Sequence, residues 1–392
     1  MAVESVKHYF VSGATGVVGS SLVPVLLGDP DARLTLLIRA GTADELAQRL
    51  ERLYAFWNVP PDDEATRSRV VALAGDTTVP QFGLGETEYS RLCASCTHVI
   101  HAAGLVRMNL PLQEARRSAV ESVANIVALS RSCKALRKLD VVSTVGVGGR
   151  MPHTVPERWL TEPRSFHNTY EQAKAEAEDV LREQVARAPL PLTVHRPSMV
   201  VGDSRSGRII SFQVFYFLCE FLSGRRTFGI YPAFGEARLD VIGCDIVADA
   251  IAAASNDEQT VGRILHLCSG PQDALRIETL KAHVRQAFAR HGLAVPGERV
   301  LPRRTYTRLA TLAGKIAPPR ARKALSTLPI YLEYLADSQA FDDARYSEWL
   351  AGRGRHRPPP TQYLSQVLDY YLTQRHGPAK SRRLDAETSH AR

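Results

Sequence analysis

Tyr170 and Lys174 stand four residues apart in the run His167-Asn-Thr-Tyr-Glu-Gln-Ala-Lys-Ala-Glu-Ala-Glu178. On a helix that spacing puts a phenol and an ammonium on one face, one turn apart. A free phenol titrates near ~10 and is a poor acid or base at neutral pH. A cation beside it stabilises the phenolate and draws its pKa toward the working range. Such spacings also arise by chance in helix-rich chains, so the pair gains meaning only from its company.

The first companion is Gly13-Ala-Thr-Gly16-Val-Val-Gly19, which follows the apolar run His8–Ser12 and precedes a helical pattern through Ser20–Leu27. Strand, glycine turn and helix form the context in which this spacing binds a dinucleotide. Gly13 permits the tight turn, Gly16 lets backbone approach a pyrophosphate, and Gly19 allows close helix–strand packing. The helix start, with the backbone of Thr15, Val17 and Val18, offers N–H groups and positive dipole to phosphates. A glycine-rich turn without a ligand is the weaker alternative in this context.

The second strand, Leu34–Arg39, ends where an adenosine ribose would sit. An acid there favours NAD, whereas an Arg favours a 2′-phosphate. Arg39 holds the place, no acid occurs before Asp44, and Arg49 could add charge. NADPH is therefore the favoured cofactor and NADH the alternative; a solvent-facing Arg39 without a ligand is the plain reading.

Further strands are expected at Arg69–Asp76, His98–Gly104, Leu139–Thr144, Leu192–Ser198 and Ile264–Ser269, with a long helix over Leu112–Cys133. Strands alternating with helices predict an α/β fold with a doubly wound parallel sheet. Ligands then sit outside the strand carboxyl ends, where Gly13–Gly19, Asp76, Ala102, Thr144 and Pro197 all fall. Asp76 could bond the adenine amine, and the small residues around Ala102 would let a cofactor lie against backbone.

Together, the Gly13–Gly16–Gly19 turn, the Ser143-Thr144 strand end and Tyr170-x-x-x-Lys174 resemble an extended short-chain dehydrogenase/reductase. Leu36–Arg39 with the helix ending Gln48-Arg-Leu50, Arg196–Gly207 and Arg238–Ala250 resemble its fatty acyl-CoA reductase and thioester reductase branch. The resemblance runs from the start to about Gly270. It implies a Rossmann-like domain over 1–204 and 238–270, and a smaller, mostly helical substrate part over 205–237 and 271–375. It also implies that Tyr170 is the proton donor, that Lys174 orients the nicotinamide ribose and lowers the phenol pKa, and that Thr144 holds the substrate oxygen. Members often carry an Asn in the helix after the fourth strand to complete a proton relay. The matching place here is Ala119, and Asn125 would project from a different face.

At 392 residues the chain can bury a sizeable core. Its formal charge of +8 suits acidic ligands: NADPH phosphates, or those of coenzyme A or a carrier-protein arm. No helix-turn-helix, zinc or stacking motif supports nucleic-acid binding. The six cysteines are scattered, and Cys93-x-x-Cys96 lacks a second pair, so no metal site is expected. The opening residues lack the charged start and apolar stretch of a secretion signal, which predicts a cytoplasmic protein. No window is long and apolar enough for a membrane span.

Ile209–Leu222 reads as a core helix that could also wall a lipophilic substrate pocket. Leu275–His291 reads as an amphipathic helix, Tyr306–Ala336 as a basic helical stretch broken at Pro318-Pro319, Tyr363–Tyr371 as a short helix, and 376–392 as a disordered tail. A basic amphipathic helix could touch an anionic membrane surface; more often it packs on the core.

Two chemistries share this machinery. A thioester could be reduced through a hemithioacetal to aldehyde and free thiol, with an acyl-carrier protein as candidate partner. Alternatively, a ketone and secondary alcohol could be interconverted on a lipophilic sterol, polyketide or quinone-like ring. The lack of an adenylation or carrier segment in this sequence helps the second. A non-catalytic scaffold is a third reading, disfavoured because it would not need Thr144, Tyr170 and Lys174 together.

Overall fold

The computed structural model describes residues 6–108, 110–316 and 340–377. Contacts divide the chain into two compact units. The first comprises Met1–Val200, Cys244–Cys268 and Phe341–His356.

Seven strands form the centre of the first unit: β1 Lys7–Ser12, β2 Ala32–Ile38, β3 Val70–Ala74, β4 His98–His101, β5 Lys138–Val142, β6 Leu192–Pro197 and β7 Ile264–Leu267. All pair in parallel, in the order β7-β6-β5-β4-β1-β2-β3. The expected doubly wound sheet is therefore present. Its order reverses between β1 and β4, and Brändén's rule places the ligand crevice at that point.

Helices α1 (Val17–Leu27), α2 (Ala43–Trp57), α3 (Glu86–Ser95), α4 (Leu112–Ser132), α5 (Thr169–Arg187), α6 (Cys244–Ser255) and α7 (Ala344–Ala351) surround the sheet. Sequence chemistry sets their ends. Thr42 caps α2 by accepting from the Glu45 N–H, and Asn58 closes it in the left-handed conformation at φ 56°. Asn168 caps α5 by accepting from the Glu171 N–H at 3.0 Å.

α1 and α6 pack side by side against one face. On the other face Phe10, Val99, Leu139, Val141 and Val194 meet Leu92 of α3, Val123 and Ile126 of α4 and Ala173 and Ala177 of α5. These strands are buried on both sides, which explains their near-continuous apolar runs.

The long helix expected over Leu112–Cys133 is interrupted. Leu112–Arg116 runs into a π turn at Arg117–Glu121 and resumes at Ser122–Ser132. The segment Phe341–His356, assigned from sequence to the substrate part, packs with the first unit: Phe341 bridges Val155, and α7 lies against β7.

The second unit comprises Val201–Gly243 with the described parts of Ser269–Ala340 and Arg357–Arg392. It holds helices Val214–Leu222, Ile277–Arg290, Arg303–Ile316 and Pro360–His376. The expected helix over Ile209–Leu222 starts only at Val214, after Gln213 in extended backbone. The final helix is longer than the Tyr363–Tyr371 stretch expected. Phe212, Phe215, Tyr216 and Tyr371 cluster in this unit, and the Tyr371 hydroxyl donates to Glu220 at 2.8 Å. Pro318-Pro319 and most of the expected tail lie outside the described residues. Among the described residues no helix is long and apolar enough to cross a membrane.

Phe10 is fully buried and stacks on Phe82 at 5.3 Å between ring centroids. Phe10→Ala is expected to destabilise the first unit by about 3–5 kcal/mol through lost burial and an unfilled cavity. A lowered urea midpoint at unchanged slope would show it.

Candidate active site

The glycine turn is built for backbone contact. Gly13 has φ +85°, and a Cβ placed on it would lie 2.5 Å from the Ala102 carbonyl carbon. A Cβ on Gly19 would lie 2.2 Å from the Gly13 oxygen. Gly16 caps α1 without a side-chain hydrogen bond to the helix start, and its own N–H donates to the Gly13 carbonyl at 2.9 Å. The first-turn N–H groups of α1 therefore face the crevice with no side chain competing for them. Thr15 is exposed and Val18 half-buried at the same rim, while Val17 is buried. These features fit a dinucleotide pyrophosphate.

Around the crevice, Ala102 follows β4 with its N–H on the Ser12 carbonyl at 3.0 Å. Pro197 ends β6 and is buried. Asp76 is half-buried beyond β3 and accepts from the Thr78 N–H at 2.8 Å. Arg39 follows β2, is exposed, and makes no hydrogen bond or ion pair with any described residue. Arg49 is not free in the same way: Glu45 takes its guanidinium at 2.6 and 3.0 Å.

Thr144 lies just past the end of β5, its Oγ1 accepting from the Gly146 N–H at 3.1 Å. The Tyr170 phenol is close enough to the same side chain for the two to interact, so strand end and helix start approach each other at these two hydroxyls. Burial pushes the Tyr170 phenol up to about 12; the Thr144 hydrogen bond works against that rise and Glu171 adds to it. This reverses the direction expected from the spacing. Desolvation outweighs any stabilisation of phenolate by the neighbouring cation, and the phenol keeps its proton.

Lys174 is buried, and its Nζ donates to the Val142 carbonyl at 3.1 Å. Burial draws this ammonium down to about 8, with the negative charge of Glu178 acting in the opposite sense. A Cβ on Gly104 would stand 3.3 Å from Nζ, so the glycine after β4 keeps the ammonium's surroundings open. At the end of β4, His101 is bonded through Nδ1 to Ser12 Oγ at 2.7 Å. Burial first, and Lys174 second, push it down to about 3, so it is neutral.

Ala119 sits within the π turn, 7 % exposed and packed in the apolar core. Asn125 donates to the Thr77 carbonyl at 2.9 Å beyond β3. Neither supplies a side-chain relay at Lys174.

Sequence reading missed a buried cluster behind these residues. Glu178 accepts from Ser143 Oγ and from Arg196, which is itself fully buried. A signal was available: Tyr170, Lys174 and Glu178 fall at i, i+4 and i+8, one helix face.

A family model described as "Male sterility protein", for an NAD-binding family, matches residues 11–251. A nonribosomal peptide synthetase of Aspergillus flavus, asaC, is 27 % identical over 285 residues, covering 69 % of this chain and 27 % of that protein. An isonitrile lipopeptide synthase of Streptomyces coeruleorubidus is 31 % identical over 204 residues, 51 % of this chain and 13 % of that protein. The chain thus spans about a quarter or less of the length of these relatives. Among solved structures, the terminal R domain of the myxalamid PKS-NRPS pathway shares 26 % identity at a TM-score of 0.78, covering 96 % of this chain and 93 % of that one. A thiolation-reductase di-domain from an archaeal nonribosomal peptide synthetase has the same fold at a TM-score of 0.71 and 18 % identity, covering 94 % of this chain and 76 % of that one.

Gly13→Ala is expected to abolish measurable NAD(P)H binding, because the new methyl meets backbone that cannot move aside and the positive φ becomes strained. Fluorescence titration of the nucleotide checks this, with circular dichroism confirming that the sheet persists.

Proposed function

The chain belongs to the NAD-binding male sterility protein family and is an NAD(P)-dependent reductase of the extended short-chain dehydrogenase/reductase type; from that premise we propose that it reduces an acyl thioester to an aldehyde, with NADPH preferred. The observation that carries the reading is the meeting of Thr144 and Tyr170 at the carboxyl edge of the sheet, with Lys174 one turn further along α5. The relatives, a nonribosomal peptide synthetase and the terminal R domain of a PKS-NRPS pathway among them, support the substrate class. The thiolation-reductase di-domain supports a carrier-borne thioester, and with it a carrier-protein partner.

In this reading Thr144 and Tyr170 hold the thioester oxygen. A dihydronicotinamide, when bound, would supply the hydride that the carbonyl carbon takes up. The oxygen gains negative charge as the carbonyl opens, and preorganised hydroxyl donors stabilise it without reorganising. Tyr170 then passes its proton to that oxygen, giving a hemithioacetal whose C–S bond breaks to leave aldehyde and thiol. A phenol held protonated by burial is in the right state for this step. The Lys174 ammonium holds the nicotinamide ribose and supplies positive charge as the phenol loses its proton. Arg39, unpaired among the described residues at the end of β2, receives the 2′-phosphate. Gly13 to Gly19 cradle the pyrophosphate, Asp76 meets the adenine, and Ala102 and Pro197 line the nicotinamide side.

Three measurements test this. NADPH oxidation should proceed with acyl-CoA or carrier-bound acyl thioesters and release one thiol per aldehyde; turnover of apolar ketones without thiol release would move the assignment to alcohol dehydrogenase chemistry. Tyr170→Phe should lower turnover by ~10²–10⁴-fold at nearly unchanged cofactor affinity, and retention of more than about half the rate would remove Tyr170 as the acid. Arg39→Ala should weaken NADPH by roughly ten- to hundredfold and NADH little. Equal losses would place Arg39 on adenine or in solvent.

A further inference from the structure

The chemistry above makes no direct use of the carboxylate one turn beyond Lys174. Glu178 is 5 % exposed. Its Oε1 accepts from Ser143 Oγ at 2.5 Å and from Arg196 Nε at 2.9 Å, and its Oε2 from Arg196 Nη2 at 2.5 Å. Arg196 is fully committed: Nη1 donates to the Pro156 carbonyl at 3.2 Å and meets His266 Nε2 at 3.1 Å, and Nη2 also donates to the Arg158 carbonyl at 3.0 Å. A guanidinium with every arm engaged fixes the carboxylate facing it.

That fixed point touches the site at two places. Ser143 is the residue before Thr144, and its N–H is held by the His195 carbonyl at 2.7 Å, so the Ser143 hydroxyl bond ties the strand end to α5. Glu178 also faces Lys174 along the same helix. We propose that Glu178 is a positioning residue: its carboxylate, shared by Ser143 and Arg196, holds Thr144 in register with α5 and keeps the Lys174 ammonium charged for cofactor binding. The second half of the proposal rests on the ribose-binding role given to Lys174 above.

The surroundings of Lys174 make the charge argument specific. Among described residues its one hydrogen-bond partner is a neutral carbonyl, and a buried ammonium so placed tends to lose its proton. From β4 it meets His101, which is neutral. From its own helix it meets Glu178, the one group that acts to keep it protonated; Glu171, also on α5, is engaged by His167 at 2.9 Å. β5 brings the Val142 carbonyl and Ser143, and β6 brings Arg196 behind Glu178. α4, packed on α5, brings Arg116, taken by Glu176 at 2.7 Å, and Arg117 and Glu121, which are exposed. Removing Glu178 leaves the ammonium without a counter-charge.

The competing view is a buried ion pair that only joins elements. The two differ in pH dependence. NADPH is titrated by fluorescence onto the full chain from about pH 6 to 10, for wild type, E178Q and E178Q/R196Q. Wild-type affinity should weaken with rising pH through a midpoint near 8, as the ammonium loses its proton. Both variants should move that midpoint down by about one pH unit. Their Kd then rises roughly three- to tenfold between about pH 7.5 and 8.5 and stays within about twofold of wild type near pH 6. The double variant removes the buried cation that E178Q strands, guarding against a simple folding failure.

A folded double variant with an unmoved midpoint overturns the proposal. So does equal weakening at every pH, or loss of folding in both variants, which leaves Glu178 as a staple. Wild type showing the midpoint and its shift, yet reducing no thioester, would support Glu178 while sinking the substrate reading.

Discussion

Backbone meets backbone at the point where the sheet order reverses, and the site depends on that contact. β1 lies between β2 and β4, and past its end Gly13 turns with positive φ directly against the Ala102 carbonyl. Gly19 lets α1 close over the same turn until the Gly13 oxygen occupies the space of a side chain. A Cβ on Gly19 would push the helix off the turn, and one on Gly13 would drive the turn into the backbone that follows β4. The remaining positions follow from strand order: Thr144 lies just past the end of β5, two strands from β1, and α5 packs on α4 and on the turn after β5 to bring Tyr170 near it. The groups proposed for catalysis and binding come from distant parts of the chain and share one edge because parallel strands all end there.

Electrostatics in that edge are governed by burial more than by pairing. The Tyr-x-x-x-Lys spacing suggests mutual stabilisation of phenolate and ammonium. In the folded chain desolvation disfavours both charges instead, raising the phenol to about 12 and drawing the ammonium down to about 8. The outcome suits proton donation, since an acid has to be protonated before it acts. It also means that the lysine, rather than the tyrosine, titrates nearest to neutral pH.

The sheet, its parallel order and the glycine turn were legible because each rests on a local pattern: apolar runs, a Gly spacing, and helix-forming stretches between them. Arg39 was legible for the same reason, as the residue after β2. The π turn at Arg117–Glu121 was not, since its sequence, Arg-Ser-Ala-Val-Glu, forms an ordinary helix as readily and is set by packing against α5. The homing of Phe341–His356 to the first unit was also hidden. It depends on contacts across large sequence separations, such as the Arg345 N–H on Glu157 at 2.6 Å and Trp349 Nε1 on Asp257 at 2.7 Å. Arg49 was read as able to add charge there because a list of basic residues does not show that Glu45, one helical turn earlier, already engages it.

The cluster of Glu178, Arg196, Ser143 and His266 shows why such contacts are kept. Burying two charges is expensive, and an apolar pair of equal volume often matches or exceeds an ion pair in stability. An apolar pair fills space but tolerates sliding, because dispersion has little direction. A carboxylate facing a forked guanidinium has one good geometry. Here that geometry joins α5, the end of β5, β6, β7 and the loop at Pro156–Arg158, the elements between which a helix shift of an ångström would separate Tyr170 from Thr144. What the pair adds is a fixed height for one helix over one strand end, and that height is what the proposed passage of the Tyr170 proton to an oxygen held by Thr144 requires.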